Sequence, residues 1–193
     1  MVRPRRDSGA VSAKERLANA FWDMFAEMPY REITIASISK RAAVSHNTFY
    51  YYYQNLEDMA VVLLEENFIP NFPAFVLESF ASGTLDTDNL VLDPLIRKRF
   101  GRMCILVGKN SETWIMERLK EATMNLWYTA LDLDPARLKK GQQAQLVFLL
   151  GGILAVLGEY GQSGDPAEVK ELIGLDLGKA LLPIVSGLRE IQA

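Results

Sequence analysis

The sequence predicts an all-α fold in two helical parts. Three observations predict it. Apolar residues recur at three- and four-residue intervals, capping residues stand ahead of those runs, and no stretch alternates convincingly as a strand. A chain of 193 residues allows one domain or two small ones. With 49% hydrophobic and 23% charged residues it can bury a core, so disorder is expected only at the termini.

The elements follow in order. Ser12-Ala13-Lys14-Glu15 has the form of a capping box, in which the Ser caps the helix start and the Glu reaches back. Behind it Leu17, Ala20, Phe21, Met24, Phe25 and Met28 mark one apolar face, and Pro29 ends the helix. Thr34 caps a second helix through Ile38 to Arg41, and Ser45 caps a third from His46 to about Tyr52. Asn55 caps a fourth, with Glu57 and Asp58 in the first turn, where acids favour the helix dipole. It should stop before Pro70. Three Asp-Pro pairs, at 93–94, 134–135 and 165–166, each read as a helix start, since Pro is tolerated at the first helical position. The helix after Asp93 carries Ile96, Phe100, Met103 and Val107 on one side. The next begins near Ser111 and carries Ile115, Leu119, Ala122, Leu126 and Ala130. A long apolar helix covers about 139–160, and a last one about 166–191. The predicted parts are residues 1–54, with 1–11 a flexible basic arm, and residues 55–193, with 55–70 a connecting helix.

Composition narrows the functions. The single cysteine, Cys104, excludes an internal disulfide and a multi-cysteine zinc site, and fits a cytoplasmic address. No metal and no cofactor are expected. The basic start, Met1 to Arg6, is followed by no apolar stretch and does not read as a signal peptide. The longest apolar run, Leu146 to Leu157, reads as a buried helix too short to span a bilayer. Net charge is −3, but residues 1–56 hold eight Lys/Arg against five acids, so a basic end sits on an acidic body. That is the charge footprint of a nucleic-acid reader with a second, acidic domain.

The second and third helices are joined by Ala42-Ala43-Val44-Ser45, which makes a helix-turn-helix. Ala43 sits at the turn, and Ile38, Val44 and Phe49 are expected to close a small core with the first helix. The third helix reads Ser45-His46-Asn47-Thr48-Phe49-Tyr50-Tyr51-Tyr52-Tyr53. Four consecutive tyrosines point nearly all round a helix, so some must face solvent or a partner. They fit partly exposed aromatic packing, and they also fit hydroxyls meeting phosphates and base edges.

The run from Ile33 to Tyr53 resembles the helix-turn-helix signature of the TetR family, and the resemblance covers about residues 12–60. The family usually has a Thr opening the second helix, Ala-Gly-Val-Ser in the turn, then Thr, an apolar residue and Tyr. The resemblance implies a DNA-binding domain followed by a helical ligand-binding and dimerisation domain. It implies double-stranded operator DNA, a second copy of the chain and a small-molecule effector as partners, with no membrane. By position it places Ser45, His46, Asn47 and Thr48 at the groove-facing start of the recognition helix. Tyr50 and Tyr52 fall on phosphate- or base-touching positions, and Thr34 on a phosphate. The sequence departs twice: the turn Gly is Ala43, acceptable if the backbone there is helical, and the Lys opening the fourth helix is Leu56. Arg3, Arg5 and Arg6 fit a DNA-tracking arm and equally a solvated tail.

His46, the only histidine, has no nucleophile or carboxylate constellation near it in sequence, so no catalysis is expected. Phe100, Met103, Cys104, Trp127 and Tyr128 are the expected ligand-lining residues, although each also fits plain core packing. Gly151, Ala155 and Gly158 share one stripe and Gly174 and Gly178 another. Repeated helix glycines suggest a close neighbouring helix, either in the same chain or, as the resemblance implies, in a dimer bundle. The leading expectation is a ligand-responsive repressor, not an enzyme, bound to a palindromic operator. The alternatives are a helical small-molecule carrier or enzyme with a vestigial head, and a regulator that needs no ligand.

Overall fold

The computed structural model describes residues 11–68, 94–130 and 132–161. Among them are seven α-helices, one short 3-10 turn and no strand. The chain divides into two compact units, Met1–Leu63 and Leu64–Ala193.

In the first unit, α1 (Ala13–Glu27) starts at the expected capping box: Ser12 Oγ accepts from Glu15 N at 3.1 Å, and Ser12 N donates to Glu15 Oε2 at 3.0 Å. Its inner face buries Leu17, Ala20, Phe21, Met24 and Phe25. Trp22 is buried too, one residue off that stripe, and stacks on Phe25 at 6.5 Å. The 3-10 turn Tyr30–Glu32 brings Tyr30 edge-on to Phe25 at 5.9 Å, closing the aromatic cluster. Helices α2 (Ile35–Arg41) and α3 (His46–Tyr52) pack on α1 and on each other, with Ile38 and Phe49 fully buried and Val44 half-buried between them. Arg41 bonds Glu27 at 2.6 Å, tying α2 to the end of α1, and this bond holds the Glu27 carboxyl below its ordinary range. Helix α4 (Leu56–Asn67) starts where Asn55 Oδ1 accepts from Asp58 N at 2.8 Å, and the division between the units falls within it.

In the second unit, α5 (Pro94–Val107), α6 (Thr113–Ala130) and α7 (Lys140–Tyr160) pack on one another. Their shared core is Cys104, Leu106, Ile115, Leu119, Trp127, Leu146, Leu149, Leu150, Leu154 and Leu157. The end of α4 is fastened to α5 by two reciprocal bonds: Asn67 Nδ2 donates to the Arg99 carbonyl and Arg99 Nη1 to the Phe68 carbonyl, both at 3.0 Å. Asn67 is itself buried, so the first bond satisfies its amide nitrogen, while its Oδ1 is buried with no hydrogen-bond partner among the described residues.

Three expectations change here. Pro94 opens α5 as expected, but Asp134-Pro135 opens only a turn. Asp134 Oδ1 accepts from Ala136 N at 2.9 Å and its carboxylate pairs with Arg137 at 3.3 Å, which closes the turn; α7 starts later, after Lys139. The inward side of α5 is centred on Cys104, Leu106 and Val107, while Ile96, Phe100 and Met103 are only half-buried. The apolar run Leu146 to Leu157 lies within a longer helix: Lys140–Glu159 has a mean hydropathy of 1.5 and meets the length and composition of a membrane span. Only 28% of that span is buried, so the expectation of a buried helix holds for its leucines and not for Val147 and Phe148, which are exposed. Asp165-Pro166, the last helix, Gly174, Gly178 and the Arg3, Arg5 and Arg6 arm lie outside the described residues, as does the stretch from Pro70 to Pro73.

Candidate nucleic-acid interface

The turn between α2 and α3 determines how α3 is presented. Val44 N donates to the Ser39 carbonyl at 3.0 Å and Ala43 N to the Lys40 carbonyl at 3.2 Å. This pair of bonds is a Schellman closure of α2, with Ala43 at the position that glycine usually takes. Ala43 has φ 51°, so its backbone is left-handed and not helical, which corrects the condition set for it above. Asp132 is also left-handed, with φ 52°, but Asp tolerates that region better than Ala. A left-handed L-residue carries a steric cost of roughly 1–2 kcal/mol that glycine avoids, partly offset by glycine's larger loss of chain entropy. Ala43→Gly is therefore expected to stabilise the first unit by about 0.5–1 kcal/mol, read as a raised melting temperature in circular dichroism. A lower melting temperature would show that the turn is not strained.

Two of the expected site hydroxyls hold the helix start itself. Ser45 Oγ accepts from Thr48 N at 3.1 Å and lies 2.9 Å from Thr48 Oγ1, and Thr48 is half-buried. Thr34 plays the same part for α2. Its Oγ1 accepts from Ser37 N at 3.1 Å and donates to Ser37 Oγ at 3.0 Å, while Ser37 gives its own proton to the Thr34 carbonyl. To donate to a phosphate, Thr34 must first turn its proton away from Ser37.

The rest of α3 faces outward. His46 and Asn47 are exposed on its first turn. Tyr50 is 57% exposed, Tyr51 81% and Tyr52 37%, whereas Tyr53 is buried beside Phe49 with ring centroids 5.6 Å apart. The four tyrosines thus divide into three outward and one inward. Tyr51, absent from the expected contacts, is the most exposed of them and meets Tyr52 edge-on at 4.9 Å. Its position four residues after Asn47 was the available signal, because residues at that spacing share a helix face. Leu56, where a cation was the usual residue, is half-buried at the start of α4.

The residues expected in the second unit are scattered. Cys104 and Trp127 are buried and Phe100, Met103 and Tyr128 half-buried. Burial pushes the Cys104 thiol up to about 12, so it stays protonated and unreactive near neutral pH. A surface groove of about 440 Å³ runs between the end of α5, α6 and α7, lined by Val107, Lys109, Met116, Lys120, Leu154 and Gly158 among others, and by none of those five. Gly151 and Ala155 also line it. Gly158 serves a close approach within the chain: a Cβ there would lie 2.7 Å from the Val107 carbonyl oxygen. At Gly151 and Gly152 a Cβ would meet nothing within 4 Å.

A short helix offered outward on a three-helix core, with the preceding helix behind it, is the arrangement that enters the DNA major groove. The first unit therefore has the form of a helix-turn-helix DNA-binding domain. Residues 19–63 match the family model described as bacterial regulatory proteins, tetR family. Over those residues the first unit is similar to the N-terminal DNA-binding domain of that family. No curated protein matches the chain.

Proposed function

We propose that the protein is a ligand-responsive repressor that binds a palindromic operator as a homodimer in the cytoplasm and is released by a small molecule. The observation that carries the reading is the outward face of α3, where His46, Asn47, Tyr50, Tyr51 and Tyr52 stand exposed above a fully buried Phe49. In this reading His46, Asn47 and Tyr52 approach base edges. Tyr50 and Thr34 approach phosphates, and Ser45 and Thr48 fix the start of the helix against the groove.

A palindrome needs two such helices, related by a two-fold axis. Support for a subunit interface comes from α7, where Ala144, Phe148, Gly152 and Ala155 follow one exposed stripe and Phe148 is 65% exposed. Covering one phenylalanine contributes roughly 1.5–3 kcal/mol. Gly151, Gly174 and Gly178 belong to the same proposed interface, and Gly158 supports it by letting α7 seat on α5. The effector is proposed to lodge among Phe100, Met103, Cys104, Trp127 and Tyr128. It lowers operator affinity by no more than its preference for the DNA-incompetent arrangement.

The test is a gel shift with DNA flanking the protein's own gene, alongside light scattering of wild type and Phe148→Glu. The expected result is a dimeric wild type with a discrete shifted band, and a monomeric variant that has lost it. An intact Phe148→Glu dimer removes α7 from the interface. A wild type that shifts no fragment removes the operator reading. Ligands found by thermal shift should then release the operator; ligands that stabilise the protein without releasing DNA remove the coupling.

A further inference from the structure

We propose that α3 reads A·T base pairs, with Asn47 bonding an adenine edge and the Tyr51 ring packing against a thymine 5-methyl group. The inference rests on the assignment of the first unit as a DNA reader and specifies what that reader selects.

The first argument is chemical. Helix α3 is His-Asn-Thr-Phe-Tyr-Tyr-Tyr and holds no Lys, Arg, Asp or Glu. Guanine is most often read by a bidentate Arg or Lys, and cytosine by an Asp or Glu accepting from its amino group. Neither contact can be made from this helix. Beside His46 and the hydroxyls, what remains is an amide, which matches the donor and acceptor of adenine, and aromatic carbon, which matches the methyl group that only thymine displays.

The second argument is geometric. Phe49 is fully buried and so fixes which way the helix faces. At about 100° per residue, Asn47 and Tyr51 each lie about 160° from Phe49 and about 40° from one another. They form the outermost ridge of the helix. His46 and Tyr52 lie about 60° to either side of Phe49, and Tyr50 about 100° away, on the flanks. The ridge residue Tyr51 is also the most exposed of the four tyrosines, at 81%, and its ring is braced edge-on by Tyr52. A ring held outward in this way presents apolar carbon already oriented, so little side-chain freedom is lost on meeting the groove.

The experiment selects duplexes from a random library with the full-length protein, then replaces each selected thymine by deoxyuridine, which removes only the 5-methyl group. Selected half-sites should carry A·T pairs at adjacent positions. One deoxyuridine per half-site should weaken wild-type binding roughly three- to tenfold. Tyr51→Ala should bind the thymine duplex as weakly as wild type binds the deoxyuridine duplex, and lose nothing further on substitution. Tyr51→Phe, which keeps the ring, should retain the methyl sensitivity. Asn47→Ala should relax the adenine preference at one neighbouring position. G·C pairs at those positions, or full methyl sensitivity in Tyr51→Ala, overturns the proposal while leaving DNA binding intact. Failure of the wild type to select any sequence overturns both.

Discussion

Phe49→Ala is expected to destabilise the first unit strongly and to weaken DNA binding with it. Phe49 is fully buried, and its ring meets Tyr50 and Tyr53 at 5.6 Å each. Truncating a buried phenylalanine to alanine costs about 3–5 kcal/mol, from lost transfer energy and the cavity left behind. A small domain has about 5–15 kcal/mol of stability in all, so one substitution removes much of it. The comparison that isolates the cause is Tyr51→Ala, one helical half-turn away but 81% exposed. That change should leave stability within about 0.5 kcal/mol while still altering DNA selection. Thermal unfolding followed by circular dichroism distinguishes the two. A Phe49→Ala protein melting with the wild type would mean that α3 does not seat on the core as described.

The second large effect is expected in α7. Gly158→Ala places a methyl group 2.7 Å from the backbone oxygen of Val107, and a backbone atom cannot rotate aside as a side chain can. Either the end of α5 moves or α7 does, at a cost of about 1–3 kcal/mol. Gly152→Ala, six residues earlier on the same helix, should instead gain up to about 1 kcal/mol within the subunit, because its Cβ meets nothing within 4 Å and alanine favours the helix. The measurement is the melting temperature at a protein concentration too low for association. If both variants melt alike, the close contact at Gly158 is not made. Loss of dimer in a well-folded Gly152→Ala would instead report on the proposed partner helix.

What could be read without the structure was local. Ser12, Thr34, Ser45 and Asn55 all cap helices where expected, because a cap needs only a side-chain oxygen two or three residues ahead of free amides. The orientation of the tyrosines was partly legible: that not all were buried followed from counting, but the choice of Tyr53 as the inward one depended on where Phe49 pointed. Tyr51 shares a helix face with Asn47 by spacing alone, and that spacing is legible in the sequence. Asp93-Pro94 and Asp134-Pro135 carry the same local signal, yet only the first opens a helix, since Arg137 closes a turn after the second. The glycines of α7 read alike in sequence. Which of them meets a neighbour depends on how α5 approaches, and that is tertiary information. Ala43 failed in the opposite direction. The sequence shows alanine where the turn usually has glycine, but whether the site is helical or left-handed is decided by the bonds of Val44 and Ala43 back to α2.

The left-handed Ala43 also bears on how this protein can change under selection. Every alanine codon becomes a glycine codon by a single change at its middle base, so the relaxed turn lies one mutation from the present sequence. Domains persist above a threshold of stability and are seldom driven to their optimum, so a nearby improvement can stay unused. Its presence gives the DNA-reading unit a reserve. A lineage that acquires a destabilising change on the outer ridge of α3, and with it a new operator, can recover the lost stability in one further step. Residue 43 is where compensating mutations should collect when such variants are evolved at raised temperature.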